Sequence, residues 1–245
     1  MSWFTVCGRM MTGMKSLNKR IFFTECAYAL GLAGLAMGTA LMEAADFGVS
    51  MVVAPAYLVY LKLSQTLGFF TFGMAEYTLQ AVLLIVLTIV LRRFRISWLF
   101  SIVTAVLYGF LLDGAIALVS LFAPPLPAFR LAAYLLGMLL CSAGVSLLFH
   151  TYLAPEVYEL FVKELSAKYG WNIHKVKTCY DCVSCLVAVM MSFAFFGPWH
   201  FEGVKAGTVV CALLNGWLIG RFTYFFENRW EFRDALPARR YFVTG

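Results

Sequence analysis

Charge is what this sequence has least of. Only 13% of its 245 residues are Asp, Glu, Lys or Arg, against 62% hydrophobic, whereas a soluble domain carries about 25% charged residues. The deficit excludes a soluble globular domain, a disordered chain and a nucleic-acid-binding module. Also missing are a phosphate-cradling Walker A loop, HExxH, GxSxG and a dinucleotide fingerprint, so ATP hydrolysis by this chain alone is not expected and it does not read as an enzyme. The seven cysteines fall mostly inside apolar runs and do not form a disulfide framework.

What is present is apolar length. A helix crossing the ~30 Å hydrocarbon core needs about 20 predominantly apolar residues. Six segments qualify: Ile21–Met42, Phe69–Leu91, Ile96–Phe122, Phe129–Leu153, Tyr180–Trp199 and Ala206–Phe226. The fold class expected is an all-α membrane protein. The formal charge of +6 then reads as topology. With six spans and both termini cytoplasmic, every Lys and Arg except Lys62, Arg130 and Lys205 falls on the cytoplasmic side, as the positive-inside rule requires. A five- or seven-span arrangement puts one basic cluster on the wrong side.

The chain also resembles itself. Ala27-Tyr28-x-Leu30-Gly31 returns as Ala133-Tyr134-x-Leu136-Gly137, and Gly38 and Gly144 follow at the same distance. Ala54-Pro55 and Ala154-Pro155 come next, then Leu63-Ser64 to Gly68 and Leu165-Ser166 to Gly170, and finally Ala105 to Gly109 against Ala212 to Gly216. Three spans per half is an odd number, so the halves face opposite ways: a 3+3 inverted-topology repeat, the plan of many secondary transporters. The expected organisation is a cytoplasmic N-terminal segment (1–20), a first three-helix repeat (21–122), a second (129–226) and a basic cytoplasmic tail (227–245).

Each half carries an extra segment too short to cross. Pro155 suits the first turn of a helix, in which Val157, Leu160, Phe161 and Leu165 form an apolar stripe and Glu156, Glu159, Lys163 and Lys168 the polar side. This one is expected to lie on the membrane surface. Its counterpart, Pro55 to Leu67, is nearly all apolar and is expected to re-enter the membrane, which is tolerated where backbone is buried in protein or lines water.

Small residues four apart, as in Gly31, Gly34 and Gly38 or Gly216 and Gly220, allow close helix approach in lipid; Gly203-x-x-x-Gly207-Thr208 opens the last span and also suits backbone near a ligand. Ionisable groups at membrane depth are costly and point to function. Glu43 and Asp46 end the first span, Glu76 lies early in the second, His150 closes the fourth and Asp181 opens the fifth. With Pro55, Pro155 and Asn215 these are the candidate substrate-binding residues. The competing roles are an interfacial anchor for Glu43 and Asp46, and a structural pair with Lys177 for Asp181. Asp113, in the third span, is expected to snorkel or to pair with Arg130 or Lys205. Cys179-x-x-Cys182-x-x-Cys185, with His174 and His200 nearby, is the one metal-like pattern. Its i, i+3, i+6 spacing drifts around a helix by about 120°, so convergence on a tetrahedral metal is not expected.

The chain resembles the YczE/YyaS/YitT family of bacterial integral membrane proteins. The resemblance rests on Leu30-Gly31 to Gly38-x-x-Leu41, Phe47-Gly48 before Pro55, Thr71-Phe72-Gly73, Gly144 to Pro155, Leu165-Ser166 to Gly170, Asp181, and Gly203-x-x-x-Gly207-Thr208 to Gly216. It runs over roughly residues 20 to 228 and implies a multi-pass protein of the bacterial inner membrane. Asn215-Gly216 departs from the glycine-then-proline expected there, and the cysteine cluster is a second departure.

The leading expectation is a secondary transporter or permease for a small organic solute, with its site between the repeats, lined by the ends of the first and fourth spans and by the two Pro-led segments. The alternatives are a ligand-binding membrane subunit of a multi-component importer, a membrane redox or metal protein using Cys179, Cys182 and Cys185, and a scaffold without a cavity. Expected partners are the lipid bilayer and a small-molecule substrate, with a homodimer or an energising partner left open and no nucleic acid; no cofactor or metal is expected.

Overall fold

A computed structural model of the chain describes residues 20–122, 126–171, 173–197 and 205–235. The elements run β1 (Arg20–Phe23), α1 (Thr24–Ala45), α2 (Ala54–Leu63), α3 (Phe72–Leu91), a 3-10 turn (Ile96–Trp98) leading into α4 (Leu99–Ser120), α5 (Pro127–Phe149), α6 (Val157–Tyr169), α7 (Ile173–Phe196), α8 (Ala206–Arg229) and β2 (Trp230–Arg233). Six of these helices are long and apolar enough to cross a membrane, so the chain has the make-up of a multi-pass membrane protein.

α1 and α5 cross at the centre of the bundle, and glycine permits it. A Cβ on Gly38 would sit 2.7 Å from the Gly137 carbonyl oxygen, and one on Gly137 would sit 2.6 Å from the Gly38 oxygen. Gly31 and Gly144 meet in the same way, at 3.0 and 2.6 Å. In lipid, where helix association draws on packing rather than on exclusion of water, such contact holds a bundle together. Around this crossing α1 packs on α4, α3 on α4, α5 on α8 and α7 on α8, while α2 and α6 each pack against both α3 and α7. One central cluster draws Leu35, Ala54, Leu58, Tyr108, Leu148 and Ile219 from five helices.

The two ends of the bundle are distinct. β1 pairs in parallel with β2, Arg20 opposite Trp230, which places the chain before the first long helix beside the chain after the sixth. An even number of crossings is needed for that. At this strand end His150 stacks on Phe232 at 4.4 Å, Tyr152 donates to Glu25 at 2.8 Å, and Arg93 and Arg95 reach Glu164 at 2.9 and 3.6 Å. The Arg92 loop and the lysine-rich stretch around α6 therefore share one end. At the opposite end Asp46 pairs with Arg130 at 2.8 Å and with Lys205, and Lys62 donates to the Phe195 carbonyl at 3.3 Å.

Several expectations are corrected. The first long helix starts at Thr24 rather than Ile21, because residues 21–23 satisfy their backbone in the strand pair; a small parallel sheet is thus added to the expected all-α class. α3 starts at Phe72, not Phe69, where Thr71 accepts from the Met74 N–H at 3.1 Å. Asp113 pairs with neither Arg130 nor Lys205: its carboxylate accepts from the Thr71 hydroxyl at 2.7 Å and from the Gly73 N–H at 2.9 Å, fixing the same helix start. α5 stops at Phe149 rather than Leu153, and α7 begins well before Tyr180. Pro155 lies two residues ahead of α6 instead of in its first turn. The largest correction concerns α6, whose supposed water-facing residues Glu156 and Glu159 are buried. Gly203, His200 and the basic tail beyond residue 235 lie outside the described residues.

The crossing geometry separates two glycines a turn apart. Gly38→Ala is expected to destabilise the protein by about 1–3 kcal/mol through overpacking against backbone. Gly34→Ala is expected to leave it unchanged, because the nearest atom to its Cβ, the Leu140 oxygen, is 3.7 Å away. Thermal unfolding of the two variants in detergent measures the difference.

Candidate functional site

The first N–H groups of a helix have no partner within it, and α6 begins in the bundle interior. Two polar side chains one turn apart on α3, Glu76 and Gln80, meet that beginning. The Val157 N–H donates to Gln80 Oε1 at 3.0 Å, while Gln80 Nε2 donates to Glu156 Oε2 at 3.1 Å. One turn of α3 away, the Tyr158 hydroxyl donates to Glu76 Oε2 at 2.9 Å. The approach to α6 is held as well: Thr104 donates to the Ala154 carbonyl at 2.9 Å and shares a hydrogen bond with the Tyr28 hydroxyl at 2.8 Å. By helical rise Gln80 lies about 12 Å along α3 from Phe72, so α6 starts at depth and climbs to the strand end, where Lys168 donates to the Val90 carbonyl at 3.3 Å.

The polar cluster continues into α7 and α8. Lys177 Nζ stands 3.4 Å from Glu159 Oε1 and 3.1 Å from Asp181 Oδ1. Asn215 faces Asp181 and accepts from Ser142 at 2.9 Å. Glu76, Glu156, Glu159, Lys177 and Asp181 are all between 0 and 3% exposed. Four carboxyl groups are therefore buried with one ammonium group, which pairs with two of them, and Glu76 Oε1, Glu156 Oε1 and Glu159 Oε2 accept no hydrogen bond among the described residues. Burial of this kind disfavours the ionised form of the Glu156 carboxyl. For Glu156 burial is the largest cause, and the Glu159 and Glu76 carboxyls add to it. Together they hold its carboxyl well above the ordinary carboxylate range, against the smaller opposing pull of Gln80 and Lys177.

Beside the cluster is a cavity of about 760 Å³ lined by Leu79, Leu83, Phe161, Val183 and the rings of Tyr158 and Tyr180. It lies between α3 and α7, with Pro55 at its inner margin. Tyr158 touches both cavity and cluster, and Tyr180 does the same, its ring 5.7 Å from Lys177 Nζ.

Of the residues singled out from the sequence, Glu76, Asp181 and Asn215 come to this cluster, Pro55 to its cavity, and Pro155 to the chain just before Glu156. The other three sit elsewhere. Glu43 is half-buried near the Asp46 end of α1. Asp46 is bound at the surface by Arg130 and Lys205; desolvation raises its carboxyl, and the two cations more than offset this and leave it below its ordinary value. His150, at the strand end of α5, contacts the Ser146 carbonyl at 2.7 Å and Glu227 at 3.4 Å. Gly207 serves the protein's own backbone, with its N–H on the Phe47 carbonyl at 3.0 Å and its carbonyl accepting from Tyr134 at 2.6 Å. Cys179 and Cys182 are exposed, and no group of three metal-ligating side chains is assembled among the described residues.

A family model described as a family of unknown function (DUF6198) matches residues 22–224. The chain belongs to this family. No curated protein and no solved structure matches it. The family match covers all six long helices up to the last turn of α8, and both short helices with them.

Sequence reasoning missed Gln80, Tyr158, Glu156, Glu159 and Lys177 as members of the site. Gln80 carried a signal, a lone amide in an otherwise apolar stretch of α3. Glu156 and Glu159 carried a misleading one, because the same helical periodicity describes a face turned to water and a face turned to buried polar groups.

Two outcomes follow from this geometry. Gln80→Leu should lower thermal stability by about 1–3 kcal/mol for each partner it orphans, the Val157 N–H and the Glu156 carboxyl. Glu156, with its carboxyl raised, contributes stability in full below the ordinary value of 4.5 and loses it as pH rises through the higher folded-state value. The thermal midpoint of the wild type should therefore fall more steeply on going alkaline than that of Glu156→Gln; equal slopes would remove the argument.

Proposed function

We propose that the chain is a proton-coupled secondary transporter or permease for a small organic solute, built as two inverted three-span repeats in a bacterial inner membrane with the strand end cytoplasmic. The observation that carries this reading is the cluster of four buried carboxyl groups around one lysine at the inner tip of α6. Groups of this kind at membrane depth are expensive, and proton relays and ion pathways are where they are tolerated.

The inverted plan is supported by contacts that survive exchange of the halves. Under the correspondence of Gly31 with Gly137 and of Gly38 with Gly144, the Gly31–Gly144 contact becomes the Gly137–Gly38 contact. The Gly109 approach to Gly73 corresponds to the Gly216 approach to Thr178, so Glu76 and Asp181, each three residues further on, become counterparts. α2 and α6 correspond too, each packing on the same pair of helices. Two short helices entering from opposite ends, with their N-termini inward, match the discontinuous elements that form transporter sites near the midplane. The cytoplasmic assignment is supported by Arg20, the Arg92–Arg95 loop, Lys163, Lys168 and Arg233, which gather at the strand end. The resemblance to the YczE/YyaS/YitT proteins is consistent with the same picture.

The test is uptake from a mixed polar-metabolite extract into proteoliposomes under an imposed pH gradient, read by mass spectrometry. Wild type is expected to accumulate at least one solute, and Glu76→Gln and Asp181→Asn to lose gradient-driven accumulation by at least about tenfold. Accumulation indifferent to the gradient, or undiminished in both variants, contradicts the reading.

A further inference from the structure

Charge is unevenly compensated within the cluster. Lys177 is engaged by Glu159 and Asp181, which leaves Glu76 and Glu156 without an ion-pair partner among the described residues. Groups facing Glu76 are Gln80 on its own helix, Glu156, Tyr158 and Glu159 from α6, Tyr108 from α4 and, beyond Glu159, Lys177 and Asp181 from α7. None of these except the distant Lys177 is positive. Each of the two uncompensated carboxyls also has one oxygen without a donor among the described residues.

The adjoining cavity has the opposite character. Its walls are largely aliphatic and aromatic, and the one cation on its margin among the described residues, Lys175, is exposed at the strand end. At about 760 Å³ it falls within the size range of small-molecule sites. Such walls suit neither a sugar, whose hydroxyls would find few partners, nor an anion, which would approach buried carboxyls. Tyr158 joins the two environments, with its ring on the cavity and its hydroxyl on Glu76.

Resting on the transporter reading, we propose that the solute is an amphipathic amine, its apolar body held in the cavity between α3 and α7 and its ammonium group received by Glu76 behind Tyr158. The ammonium replaces a proton: a neutral Glu76 carboxyl plus R–NH3+ gives a Glu76 carboxylate paired with R–NH3+, and one proton leaves to water. A primary ammonium brings both the charge the cluster lacks and N–H donors for its unpartnered oxygens. Proton and amine then compete for one carboxyl, which ties outward movement of one to inward movement of the other.

The experiment uses the full chain in nanodiscs of zwitterionic lipid and three probes of matched shape: 2-(1-naphthyl)ethylamine, its N-acetyl amide and 3-(1-naphthyl)propionic acid. Calorimetry in two buffers of different ionisation heat gives affinity and protons released. The amine is expected to bind at least about tenfold more tightly than the other two and to release about one proton. Glu76→Gln, which keeps an acceptor for Tyr158, should abolish proton release and weaken binding; Leu83→Trp, which fills the cavity from its wall, should block binding with the cluster intact. Equal binding of amide or acid, amine binding without proton release, or unchanged binding in Leu83→Trp overturns the proposal. If the amine fails while gradient-driven uptake of another solute persists, the substrate assignment falls and the transporter reading stands. If the amine exchanges with a proton in nanodiscs but nothing accumulates in proteoliposomes, the transporter reading falls and the site remains.

Discussion

A helix that begins inside an apolar bundle presents N–H groups that need partners there, and here one side chain answers the first of them. Gln80 accepts from the Val157 N–H and donates to the Glu156 carboxyl, joining a long helix to the start of a short one at depth. Without that pairing α6 would gain by lying along the surface, where its lysines already are. With it, the helix is drawn inward, and its first turn brings Glu156, Tyr158 and Glu159 among the long helices. The cluster, its shortage of positive charge and the cavity beside it all follow from where α6 starts.

The same constraint explains why the polar groups are concentrated rather than scattered. Each buried carboxyl lowers the cost of admitting a donor nearby: Tyr158 and Gln80 are each shared with a carboxyl, and Lys177 is shared by two. Among the described residues the arrangement stops short of neutrality, with carboxyl oxygens of Glu76, Glu156 and Glu159 left without a donor, where a fully satisfied polar network would leave none. The surface network at the other end makes the contrast plain. There a single carboxylate, Asp46, meets two cations, Arg130 and Lys205, and holds the starts of α5 and α8 to the end of α1.

Much of the fold was legible in the sequence because it depends on composition over long windows. Six apolar runs of sufficient length gave six long helices, and the glycines of the first and fourth runs gave the central crossing. Helix ends were legible less well, since they are set by individual partners: Asp113 caps α3 from forty residues away, and residues 21–23 leave the first helix to pair with a strand near the far end of the chain. The site was legible by half. Glu76 and Asp181 stood out as acids inside apolar runs, and Asn215 as a departure from an expected pattern. Glu43, Asp46 and His150 stood out for the same chemical reason but occupy helix ends. Glu156 and Glu159 were hidden by an amphipathic helix whose polar face turned to other polar side chains rather than to water.

The proposed inverted arrangement requires α2 and α6 to enter from opposite faces with their N-termini inward. Side-specific labelling tests this directly: in a variant with the native cysteines replaced, single cysteines at Gln65, just past α2, and at Lys168, near the outer end of α6, are exposed to a membrane-impermeant maleimide in right-side-out and inverted vesicles. The expected result is that each position reacts from one face only and that the two faces differ. Reaction of both positions from the same face would contradict the inverted arrangement and, with it, the site proposed at its centre.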